Sequence, residues 1–176
     1  MSAGEIFLER SRYYLAEEYP TKLRQCVAAL PEGVLWQRAN ESSNSIGNLL
    51  LHLAGNVRQW IVGGVGGLPV ERDRPAEFAA RDGPDAATLL ENLESAVREA
   101  DSVLAGLSDE DLARLCTIQD RDTNVLAAIY HVVEHFAMHT GQVVLLTKAC
   151  APGAIHFYND SVWNAAPTWG GREGMR

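Results

Sequence analysis

Ile46, Leu49, Leu50, Leu53, Val57, Trp60 and Ile61 fall at three- and four-residue intervals over residues 46–61. A helix turns once in about 3.6 residues, so these side chains make one apolar stripe that must be buried against a partner. Three more stretches repeat the pattern. Phe7, Leu8, Leu15, Leu23, Val27 and Leu30 mark residues 5–30, with Pro31 as the stop and Pro20 predicting a kink or break near Tyr19. Leu89, Leu90, Leu93, Val97 and Leu104 mark 85–107, and Val125, Ile129, Val132, Phe136 and Val143 mark 124–149. No alternating run is long enough for a sheet, and no repeat recurs. The expectation is an all-α fold, a four-helix bundle over residues 1–150.

The expected punctuation is specific. A serine within 42–45 caps the second helix, and Gly63 and Gly64 end it in the left-handed conformation. Ser108 caps the turn after the third helix, and Asp122 or Thr123 caps the fourth. Residues 68–84, "LPVERDRPAEFAARDGP", read as one long, charged, proline-rich crossover loop able to cover a site. Residues 151–176 form a tail that keeps Trp163 and Trp169, two of the four tryptophans, so part of it should pack on the bundle or on a second subunit.

Composition excludes some partners. A net charge of −8 on 176 residues opposes binding to nucleic acid or to anionic membranes. No apolar run is long enough to span a bilayer, and the first residues, "MSAGEIFLER", do not read as a secretory signal. Three cysteines, Cys26, Cys116 and Cys150, stand far apart in no CxxC pair, which suggests reduced thiols and a cytoplasmic protein.

The segment "HVVEHFAMHTGQ" places His131, His135 and His139 four residues apart in a chain with five histidines. On the helical wheel His139 lies nearest the apolar stripe, His135 at its flank and His131 furthest out, with Gln142 on the same flank. An i, i+4 pair on one face can grip one metal ion. The residue after His135 is Phe136, so the glutamate of the HExxH peptidase motif is missing; Glu134 is not followed three residues later by histidine, so the di-iron pattern fails too. Glu134 turns away from the site and reads as a surface charge. His52, beside the second stripe with Asn48 and Asn56 one turn to either side, is the obvious third ligand. It equally fits a lone histidine satisfied by neighbours, and the line of three equally fits a partly exposed edge.

At these residues the chain resembles the DinB/YfiT-like family of metal-binding four-helix bundles. "SIGNLLLHLAGNVRQWI" is similar to that family's second-helix segment, and "HVVEHFAMHTGQ" to its last-helix signature of two histidines four apart before a Gly-Gln pair. The resemblance covers residues 5–148 in element order and is specific only at those two motifs. It implies that His52, His135 and His139 bind one divalent metal, zinc or nickel first and iron or copper next, with an open position for water or substrate. His131 is then a rim or supporting residue, Gln142 a contact to a histidine or to the fourth ligand, and Asn48 or Asn56 the partner of the second His52 nitrogen. The family includes or resembles enzymes that use low-molecular-weight thiols such as mycothiol and bacillithiol, transferring the thiol to an electrophile or, in one case, isomerising maleylpyruvate.

The expected function is therefore a metal-dependent transferase of a low-molecular-weight thiol acting on a small-molecule substrate. A metal-dependent hydrolase and a non-enzymatic metal or ligand binder are the alternatives. The apolar outer faces and tail suit a homodimer.

Overall fold

Ser2 opens the first helix with a capping box: its hydroxyl accepts from the Glu5 N–H, and the Glu5 carboxylate accepts from the Ser2 N–H. Two backbone donors that helix geometry leaves free are satisfied this way. In the computed structural model, which describes residues 1–159 and 166–169, α1 (Ala3–Tyr13) runs through a π-helical turn, Tyr14–Glu18, into α2 (Tyr19–Ala28). The disturbance expected near Tyr19 is a change of helical register, not an interruption. Pro20 has no N–H, and its ring crowds the carbonyl four residues back. Widening to a five-residue step, with the Tyr19 N–H donating to the Tyr14 carbonyl, accommodates both conflicts.

Ser45 caps α3 (Ile46–Val57) in a second box, exchanging hydrogen bonds with Asn48 in both directions. A π-helical stretch, Arg58–Val65, continues the rod. The left-handed residue that ends it is Gly67, φ 68°, and Gly63 and Gly64 stay inside the helix. Gly64 is there for close approach: a Cβ would overlap the Ile118 side chain that lies on it.

The 68–84 segment is not a bare loop. Asp73 accepts from the Ala76 N–H and Pro75 sits in the first turn, so α4 (Arg74–Ala79) forms within it. Asp85 caps α5 (Ala86–Ala105). A 3-10 turn (Glu110–Ala113) follows, after which β1 (Leu115–Ile118) and β2 (Arg121–Asn124) make an antiparallel hairpin with Ile118 opposite Arg121. Its two-residue turn holds Gln119 and Asp120 at φ 54° and 58°, the primed-turn conformation that matches strand twist. Because Asp122 and Thr123 are taken into β2, the cap of α6 (Val125–Cys150) falls on Asn124, which accepts from the Ala127 N–H. A last pair, β3 (Tyr158–Asn159) and β4 (Ala166–Pro167), is antiparallel.

The four rods α1–α2, α3 with its π continuation, α5 and α6 form a four-helix bundle in which α3 packs on α5 and α6, and α2 packs on α6. Leu23, Leu50, Leu53, Ile61, Ile129 and Phe136 are fully buried in one core. Arg12 bonds Asp101 through two nitrogens at 2.7 and 3.0 Å, fastening α1 to α5. In the tail, Ile155 is buried, and the Lys22 ammonium lies 5.4–5.9 Å from the ring centroids of Phe157, Tyr158 and Trp169. Trp163 lies outside the described residues. Among the described residues, no helix is long and apolar enough to cross a membrane.

Phe136 is wholly buried and stacks on Tyr19 at 5.5 Å, joining α6 to α2. Phe136→Ala should cost about 3–5 kcal/mol, read as a lower urea midpoint with an unchanged slope; a loss below about 1 kcal/mol would contradict this packing.

Candidate metal centre

The α6 stripe turns His139 inward and leaves His135 half-buried, while α3 brings His52 in from across the core. Each of the three rings offers a nitrogen, and these nitrogens lie within 4.8 Å of one another. Among the described residues no other His, Cys, Asp or Glu joins the cluster. The centroids of His52 and His135, and of His52 and His139, are 5.0 Å apart, and those of His135 and His139 are 4.4 Å apart. His131 stands at the rim, 4.2 Å from the Trp60 ring and 5.3 Å from His135, outside the converging set. Glu134 is exposed.

The outer nitrogens fix which way the lone pairs point. Glu77 Oε2 lies 2.9 Å from His52 Nδ1 and, as a carboxylate, can only accept, so Nδ1 carries a hydrogen and Nε2 is the nitrogen turned to the cluster. His139 is set likewise by donation from Nδ1 to Gln142 Oε1 at 2.7 Å. His52 Nε2 and His135 Nε2 are 2.8 Å apart. Two lone pairs cannot face each other so closely; a proton or a cation has to lie between them. Burial, followed by the neighbouring His139, His52 and His131, pushes the His135 pKa down to about 3. Burial also lowers His139 and His131. Neutral imidazoles with inward lone pairs are the form that ligates a divalent metal, and the donor set fits one.

Asn48 and Asn56 are both buried, but the outer nitrogen of His52 goes to Glu77 rather than to either. Asn48 is committed elsewhere: Oδ1 accepts from Ser45 and Arg38, and Nδ2 donates to the carbonyls of Glu77 and Ala80. It docks α4 on α3. Phe78 then lies 4.6 Å from the His52 ring, and Arg72 clamps the Glu77 carboxylate at 2.6 and 2.8 Å. Burial would raise the Glu77 carboxyl, but the hydrogen bonds from Arg72 and His52 outweigh it and hold the group below its usual range. Glu77, Arg72 and Phe78 are absent from the sequence-derived site. The run from Asp73 to Glu77 carries a cap, a first-turn proline and a first-turn acid, enough to find α4 but not its docking. None of Cys26, Cys116 or Cys150 is in the cluster.

The family model described as the DinB superfamily matches residues 15–143. Among solved structures, a DinB-like protein from Bacillus cereus superposes with a TM-score of 0.64 at 18% identity, covering 85% of this chain and 95% of its own. YfiT from Bacillus subtilis, described as a probable metal-dependent hydrolase with an unusual four-helix bundle topology, gives 0.66 at 17% identity, covering 85% and 89%. The DinB-like protein YjoA from Bacillus subtilis gives 0.58 at 14%, covering 79% and 90%. At these identities the likeness establishes the fold. No sequence among the curated proteins matches this chain.

The depressed His135 sets a pH dependence for the metal-free protein. The unfolded chain takes up a proton below the usual value of 6.5, whereas the folded chain holds His135 neutral until about 3. Stability is therefore complete above about 6.5 and drains away as the pH falls through that window. Thermal unfolding with chelator present should show a falling midpoint below that pH, with a shallower fall in His135→Phe; a flat profile down to pH 4 would contradict the assignment.

Proposed function

The chain belongs to the DinB superfamily, and on that footing we propose that it is a metal-dependent transferase that joins a low-molecular-weight thiol to a small electrophile. The observation that carries this reading is the convergence of three histidine nitrogens within 4.8 Å with no fourth His, Cys, Asp or Glu among the described residues. A pure binding site closes its coordination with protein groups, whereas a catalytic one keeps a position open.

A divalent ion held there supplies Lewis acidity, which acidifies a thiol or a water molecule at the open position. The chain's own contribution is orientation and exclusion. His52, His135 and His139 turn one ring nitrogen each to a common point; Glu77 and Gln142 lock two of the rings; Phe78 packs on the His52 ring. His131 and Trp60 pack against each other at the rim, their ring centroids 4.2 Å apart. Transfer by substitution would break the thiol S–H and the electrophile's carbon–leaving-group bond and form one carbon–sulfur bond; the leaving group departs with the electron pair and the proton passes to solvent, so no protein carboxylate has to take it. Glu77, which contacts the cluster through His52, is already bound by that ring and Arg72, and Glu134 is exposed. Among the described residues no free carboxylate base stands at the cluster, which supports transfer over hydrolysis.

Hydrolysis is the second reading, supported by the bundle's likeness to YfiT, with its description as a probable metal-dependent hydrolase. One assay separates the two. Zinc- or nickel-loaded protein, given a panel of small thiols and a chromogenic electrophile, should show thiol-dependent conjugation that is abolished in His139→Ala and by chelator. Thiol-independent cleavage of ester or amide substrates, with no conjugation, would overturn the transferase reading in favour of hydrolysis.

A further inference from the structure

Glu77 and Arg72 form an ion pair that is almost wholly buried, with side chains 10% and 5% exposed. Burying two charges costs several kcal/mol of desolvation that their attraction only partly returns, and apolar residues of like size usually serve stability as well. The pair therefore calls for a reason beyond packing. Its surroundings supply one. The carboxylate is held on two sides: Arg72 bonds both oxygens, and Oε2 also accepts from His52 Nδ1. Arg72 Nη2 stands 3.1 Å from that same nitrogen, but both atoms carry hydrogens, so the carboxylate between them keeps the arrangement together.

The backbone beneath is shaped for the pair. A Cβ at Gly55 would overlap Glu77 Oε1 and crowd Arg72 Nε, so the charged pair sits in a space that only glycine leaves on α3. Asn48 Nδ2 holds the Glu77 and Ala80 carbonyls at 2.8 and 3.0 Å, and Arg38 Nη2 holds those of Phe78 and Ala80 at 2.6 and 2.9 Å. On the far side Arg72 Nη1 donates to Gln59 Oε1, which also accepts from Gln119 at the hairpin turn. These bonds hold the backbone and the guanidinium on either side of Glu77, whose Oε2 meets His52 Nδ1.

Resting on the metal-centre reading above, we infer that Glu77, clamped by Arg72 over Gly55, is the positioning residue that aims His52 Nε2 at a divalent ion. A carboxylate behind a ligating histidine fixes ring and tautomer and raises the basicity of the inward nitrogen. Arginine rather than lysine suits the clamp, because its planar fork meets both carboxylate oxygens at once. The 68–84 segment is thereby part of the metal centre rather than only a crossover.

The test uses full-length protein, zinc competition against a chromophoric chelator, and the visible spectrum of the cobalt(II) form. Glu77→Ala should weaken zinc binding about 10–100-fold. Gly55→Ala, which keeps both charged side chains but displaces them, should weaken it in the same direction. Glu77→Gln, whose amide oxygen still accepts from Nδ1, should retain more affinity than Glu77→Ala. At saturating cobalt the bands of Glu77→Ala and Gly55→Ala should shift, which a merely structural α4 would not cause. Wild-type affinity and an unchanged cobalt spectrum in both folded variants would overturn the inference; if Glu77→Ala does not fold, Gly55→Ala and Glu77→Gln decide it. His52→Ala runs beside them. If it loses zinc while the others keep it, only this inference fails; if it too binds like wild type, the metal-centre reading fails with it.

Discussion

Three imidazoles share one buried spot, and two of their inward nitrogens, His52 Nε2 and His135 Nε2, lie 2.8 Å apart, so a proton or a cation has to sit between them. The rest of the structure follows from that constraint. Burial in the bundle keeps His135 and His139 neutral, and hydrogen bonds at the outer nitrogens of His52 and His139 settle the tautomers. The helices around them are placed by ordinary means. Apolar stripes bring α3 onto α5 and α6, Phe136 stacks on Tyr19, and surface pairs such as Arg12–Asp101 join neighbouring rods. The core is conventional, and the polar cluster inside it is the departure that function would explain.

That cluster is asymmetric. One side is an aromatic rim, Trp60 against His131 against His135. The other is a charged strap, Arg72 and Glu77, pressed onto α3 over Gly55. The rim is half-buried and the strap almost fully so. The two π-helical stretches serve different ends. One resolves the conflict at Pro20; the other carries Gln59 and Trp60, a support of the strap and a wall of the rim.

The bundle and the three histidines were legible in the sequence because both rest on helical periodicity, which assigns faces without knowledge of the partner. Glu77 was not, because its place depends on a docking that Asn48, Arg38 and Gly55 create from outside its own segment. Gly63 and Gly64 have the composition of a helix end, yet Gly64 serves the approach of Ile118; composition does not separate these uses of glycine. The hairpin was too short to show alternation, and its Gln119–Asp120 turn lacks the glycine that usually marks one. Once Asp122 and Thr123 belong to a strand, the cap moves to Asn124.

The proposed function requires that His52, His135 and His139 together hold one metal ion. Elemental analysis of protein purified without a nickel column, beside His52→Ala, His135→Ala and His139→Ala, tests it most directly. About one zinc, nickel or similar ion per chain is expected in the wild type and none retained in any of the three variants. Wild-type protein that is metal-free and takes up neither added zinc nor nickel would contradict it.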